Sequence, residues 1–182
     1  MRRTRILVTS LLLAVTVVLS GCVQSPRTAA VVNDYIITEA EVTAATEVYQ
    51  RVVEELNLAE GAAIGPADIR LTVLGWLIDG VIAAEVSQVT DEIVSDAEVE
   101  ELASQYSDAP LLLADSGSRG AMAGELRWAL LWNRTSQGVI SQEAVVSVVT
   151  GLEVELNPRY GTWSSDQLRP TNAGLGVAAS LS

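Results

Sequence analysis

No histidine, lysine or phenylalanine occurs in these 182 residues, and there is one cysteine, Cys22. Without histidine, Ser-His-Asp and Cys-His arrangements and histidine-bound metals are excluded together. Without lysine, Schiff-base chemistry is excluded as well. A single thiol leaves no disulfide within the chain. Cationic charge is scarce too: 11 arginines face 23 acids, for a net charge of −12. Phosphate contacts need clustered cations, so nucleic acid is not an expected partner. Paired carboxylates could still serve glycoside hydrolysis, but the acids fall mostly on expected solvent faces. The chain is therefore expected to be no enzyme and to use no catalytic residue, metal or cofactor.

What the sequence does contain begins at the N-terminus. Arg2, Arg3 and Arg5 precede an apolar stretch from Ile6 to Leu19, which runs into Ser20-Gly21-Cys22. A basic start, an apolar middle and small residues at the exit form the secretory signal pattern. The apolar stretch is shorter than the roughly 20 residues that span a bilayer. The segment resembles a bacterial lipoprotein signal, which implies cleavage between Gly21 and Cys22 and acylation of Cys22 by diacylglycerol and a fatty acid such as palmitate. Residues 1–21 are then the signal peptide and 22–28 a lipidated tether, some 20 Å long at full stretch. Cleavage removes three arginines, which takes the net charge from −12 to −15 and leaves 161 residues, enough for one domain with a workable core. An acidic body is repelled by an anionic leaflet over roughly a Debye length, about 8 Å. The expected location is the extracytoplasmic face of the cell membrane, lipid-anchored, with the domain standing off the lipid.

The remainder reads as mainly α, a bundle of four to five helices with a small β element. Ala29 to Ile37 is a strand, an Asn33-Asp34 turn and a second strand, since Asn and Asp tolerate positive φ. Thr38-Glu39-Ala40-Glu41 is a capping box, flanked by Ile37 and Val42 at the positions of a hydrophobic staple. Val42, Ala45, Tyr49, Val52 and Leu56 continue as an amphipathic stripe. Gly61 to Gly65 breaks the pattern, and Pro66 starts a second helix to about Gln88 that is apolar on most faces and expected at the centre. Asp68, Arg70, Asp79 and Glu85 argue against its spanning a membrane.

Ser95-Asp96-Ala97-Glu98 repeats the capping chemistry and opens a short third helix ending near Tyr106. Ser107 to Ser118 is expected as a loop around Leu111 to Leu113. A fourth helix runs from about Arg119 to Gln137, with Trp128 and Trp132 on one face at i, i+4. Ser141 caps a last short helix through Val149. Leu152 to Leu156 alternates as a half-buried strand, expected to pair with Ala30 to Val32. The folded domain is set at 29–165, and 166–182, of small and polar residues, is expected as a disordered tail.

Three stretches, Ala30 to Val42, Leu74 to Val86 and Ile93 to Val99, taken in order with Asn157-Pro158-Arg159-Tyr160-Gly161-Thr162-Trp163, resemble the SurA/PrsA-type family of exported chaperones. The last of these looks like the closing strand segment of relatives among high-GC Gram-positive lipoproteins. The resemblance covers most of 29–165 and implies the N-terminal chaperone domain of that family. Asp34 departs from it, because the family usually has glycine after the asparagine; aspartate can occupy that place in the turn only at some strain. The parvulin isomerase domain of that family does not fit in this length, and its histidines are missing, so isomerase activity is not expected.

The resemblance implies a membrane-tethered module that holds exported polypeptides in an apolar groove. Trp76, Trp128 and Trp132 are the candidate peptide-binding residues, since aromatics dominate binding surfaces; the competing reading places all three in the core. The alternative function is a non-catalytic assembly subunit docking on one envelope protein, with the acidic surface suiting a basic partner. Asn157 to Tyr160 could contact a ligand, but turn geometry accounts for the Asn-Pro and the glycine. Asn133-Arg134-Thr135 matches a glycosylation sequon, a pattern frequent by chance.

Overall fold

The computed structural model describes residues 25–56 and 65–171. Gly21, Cys22, the signal and most of the tether lie outside the described residues, as does 172–182. The described chain is mainly helical with a small antiparallel sheet, in the order β1 (Thr28–Val32), β2 (Tyr35–Thr38), α1 (Glu39–Glu55), α2 (Pro66–Thr90), α3 (Asp96–Ala103), α4 (Ala109–Ala114), α5 (Arg119–Ser136), α6 (Gln142–Thr150), β3 (Val154–Leu156), β4 (Thr162–Ser164) and β5 (Arg169–Thr171).

Local chemistry explains the helix starts. Thr38 accepts from the Glu41 N–H at 3.2 Å while Glu41 accepts from the Thr38 N–H at 2.7 Å, and Ser95 and Glu98 repeat the arrangement at 3.3 and 2.9 Å. α2 begins with Pro66 in its first turn, where the missing N–H costs nothing. Its Val73, Leu74, Ile78, Ile82 and Val86 are fully buried, so it is the central helix that the sequence predicted.

β1 pairs with β2 on one side and β3 on the other, with Ala30, Val31 and Val32 opposite Leu156, Glu155 and Val154. The two ends of the domain therefore meet in one sheet, as expected. Strand β3 starts at Val154, two residues later than the alternation suggested.

Three expectations are corrected. The segment 107–118 is not all loop: Pro110 sits in the first turn of α4, and Leu112 and Leu113 are buried. Burying them against the core outweighs the turn residues on either side, and the helix count among the described residues becomes six. The domain boundary at 165 is also too early, because β4 and β5 form a second hairpin reaching Thr171. Asp34 carries no strain, because the positive φ of the first turn falls on Asn33, at 51°.

Candidate functional site

α2 and α5 meet backbone to backbone at two glycines. A Cβ built on Gly124 would lie 2.7 Å from the Gly80 Cα and 2.9 Å from the Trp76 carbonyl oxygen. Only glycine lets these backbones approach so closely. On one side of this crossing the β1–β2 hairpin is held over α2 by its turn. The Asn33 Nδ2 donates to Glu85 Oε1 at 2.6 Å, and its Oδ1 accepts from the Glu153 N–H at 2.9 Å.

Between the hairpin, α2 and α5 lies an open groove of about 630 Å³. Tyr35 and Ile37 of β2 line one wall, Leu77, Val81 and Ala84 of α2 the floor, and Gly120 and Gly124 of α5 the other wall. Three acids, Asp34, Glu41 and Glu85, lie along it against one cation, Arg127. That arginine is already paired with Asp96 of α3. The size is in the range of ligand clefts, about 300–1,000 Å³.

On the other side of α2, Asp79 is fully buried. Arg169 of β5 reaches over Gly75, where a Cβ would be 3.1 Å from its Nη1, and pairs with Asp79 Oδ2. Its Nη2 lies 3.4 Å from Glu125 Oε2 of α5. Burial first, and then the neighbouring Glu125 carboxyl, push the Asp79 pKa up to about 8. Asp79 thus keeps its proton at neutral pH. The same anionic surroundings hold the Arg169 guanidinium above its ordinary value.

The three tryptophans do not converge. Trp76 is half-buried with its ring 4.8 Å from that of Tyr49. Trp128 and Trp132 share a face as predicted, with centroids 5.8 Å apart, and border a depression of about 160 Å³ beside Asp79 and Arg169. Trp132 is 53% exposed. None of the three lines the larger groove. Trp76 and Leu77 are adjacent in sequence and so about 100° apart around α2, which gives the groove to Leu77.

Asn157 to Tyr160 is structural, as turn geometry suggested. The Asn157 Nδ2 donates to the Thr28 carbonyl oxygen at 2.9 Å, and its Oδ1 accepts from the Arg159 N–H at 3.3 Å. The Tyr160 hydroxyl donates to Glu39 Oε2 at 3.0 Å and accepts from the Arg70 Nη2 at 2.8 Å, while Arg70 also pairs with Glu39 at 2.9 Å.

No family model, curated protein or solved structure matches this chain. Its chemistry therefore rests on the geometry above. Among the described residues no group of three or more His, Cys, Asp or Glu is placed to hold a metal ion, and no helix is long and apolar enough to cross a membrane. Sequence reading missed the Asp79–Glu125–Arg169 cluster, having used Asp79 only to argue against a membrane span. The available signal was one acid inside the otherwise apolar run from Leu74 to Ile82.

Proposed function

We propose that the chain is a membrane-anchored, extracytoplasmic chaperone-like lipoprotein that binds unfolded or exported polypeptides without isomerase activity. The observation that supports this most is the solvent-open groove beside β2, with its apolar floor and acidic rim. Apolar floors take side chains of many kinds, and a rim of one charge selects weakly among them. The seat of binding is the groove, and not the tryptophans. Anchoring at Cys22 keeps that groove near the membrane where exported chains emerge, since two or more acyl chains hold a protein stably.

The full chain, reconstituted in liposomes, is expected to delay aggregation of a chemically unfolded protein at equimolar amounts. No delay for any of several unrelated substrates sinks the reading. Cys22→Ser is expected to abolish signal cleavage and membrane retention; unchanged processing removes the anchor. A proline-isomerisation assay is expected to stay at background.

The second reading, a non-catalytic assembly subunit docking on one envelope partner, is favoured by the net charge of −12, which suits a basic partner. Recovery of one stoichiometric partner in place of a broad client set selects it.

A further inference from the structure

Strand β2 is an outer strand in the order β2-β1-β3, and its outer edge pairs with no other strand among the described residues. The sheet lays Ala30, Val32 and Ile37 on the helical core, all three fully buried. The groove continues that face past β2, over Leu77, Val81 and Ala84 of α2, until α5 closes it. A fourth strand added to β2 would lie in this groove. Edge strands are usually protected by a charge, a proline or a covering element. Here Tyr35 and Ile36 are 53% and 50% exposed, with neither proline nor lysine or arginine in β2.

We infer that the groove binds an extended basic polypeptide as a fourth strand, hydrogen-bonded to the outer edge of β2. This rests on the reading of the groove as a polypeptide site and specifies how it holds its ligand. Backbone pairing supplies affinity independent of sequence, and the pockets under alternate side chains supply selectivity. Side chains facing α2 must be small or aliphatic, because Gly120 and Gly124 leave α5 close to the floor. Basic residues at the ends of the strand meet Asp34, Glu41 and Glu85. A second copy of the chain fits badly, since its own Asp34, Glu41 and Glu85 would meet the same three acids. The chain's residues 172–182 carry no charged side chain to match that rim.

The test uses the full chain in detergent and a fluorescent ten-residue peptide of alternating valine and threonine with two arginines at each end. Its partner is the same peptide N-methylated at alternate residues on one edge, in both registers, which removes the N–H groups but keeps the side chains. Binding is expected to weaken at least roughly tenfold in one methylated register, because paired main-chain bonds are lost. Equal binding of all three peptides overturns strand addition while leaving a polypeptide-binding groove. No binding of any overturns both. Ala84→Trp fills the floor from an exposed helical position and is expected to reduce affinity by a similar factor. Asp34→Lys, in the exposed turn, should weaken binding about threefold and reduce its salt dependence. A dimer of the peptide-free chain in sedimentation that Ala84→Trp dissociates would assign the groove to a second copy and overturn the inference.

Discussion

Two carboxylate centres fasten the C-terminal segment to the helical body, and they differ in charge balance. At Glu39 one carboxylate meets two arginines, Arg70 at 2.9 Å and Arg159 at 3.5 Å, with the Tyr160 hydroxyl beside them. At Asp79 two carboxyls share the single Arg169. The first centre is rich in donors, and its bonds run between neighbours at the sheet end of the bundle. The second lies against the buried face of α2 and is short of cations, with one arginine for two carboxyls; each centre leaves one buried carboxyl oxygen, Glu39 Oε1 or Asp79 Oδ1, without a hydrogen-bond partner. Where cations are short, a buried carboxyl keeps its proton instead of its charge. Pairing chemistry alone therefore does not make two such sites equivalent; the ratio of arginines to carboxyls sets them apart.

The strongest way to break the comparison is Gly124→Ala. The added methyl would press on Gly80 and the Trp76 carbonyl, pushing α5 and the adjacent Glu125 off α2 while leaving Glu39 untouched. Overpacking of backbone against backbone is expected to cost about 3 kcal/mol in urea denaturation. A cost near zero would show that the two helices part freely.

Arg169→Ala comes next. Breaking a buried pair costs about 3–5 kcal/mol, but the arginine is 42% exposed and screened by solvent, so about 2 kcal/mol is expected. The loss should be larger at pH 9 than at pH 5, because the carboxyls left behind are harder to hold as anions.

The third test concerns the proton on Asp79. An unfolded aspartate ionises near 3.8, whereas Asp79 in the folded chain keeps its proton up to about 8. Between these limits the folded state binds the extra proton. The stability due to Asp79 is thus fully present below about pH 4 and is lost as pH rises through about 8. Asp79→Asn is neutral throughout and is expected to flatten that decline in urea midpoints measured from pH 5 to 9. Parallel curves for the two proteins would mean that no proton is held there.

Tyr160→Phe is the mildest change. It removes one hydrogen bond to Glu39 and one from Arg70, and about 1 kcal/mol of stability is expected to go. Because Asp79 and Glu125 are untouched, the fall in urea midpoint from pH 5 to 9 should match that of the unsubstituted chain. A steeper or shallower fall would tie the two centres together.

Much of this frame was legible along the chain. Thr38 with Glu41, Ser95 with Glu98, and Ser141 lie close in sequence to the N–H groups they cap, so their spacing sufficed to place three helix starts. The apolar faces of α2 marked it as central. Segment 107–118 was misread because six residues with Asp, Ala and Pro at their edge carry a weak local preference, and burial of Leu112 and Leu113 decides the outcome. The hairpin of β4 and β5 escaped for a related reason. Its turn relies on Leu168 at a φ of 51°, a conformation that leucine adopts only when its surroundings impose it.

The groove was expected, but its lining was not. Tryptophans drew attention by residue type, whereas the floor is made of Leu77, Val81 and Ala84, which look like any other core positions of α2. They are left open because β2 ends the sheet and Gly80 and Gly124 fix where α5 stands. Sequence by itself determined five of the six helices among the described residues, their caps and the acidic character, since these follow from spacing and composition. Only the tertiary structure decided where a strand's width of α2 stays uncovered and which two acids share one arginine. Both depend on contacts between residues 44 to 90 positions apart, and no local pattern records those distances.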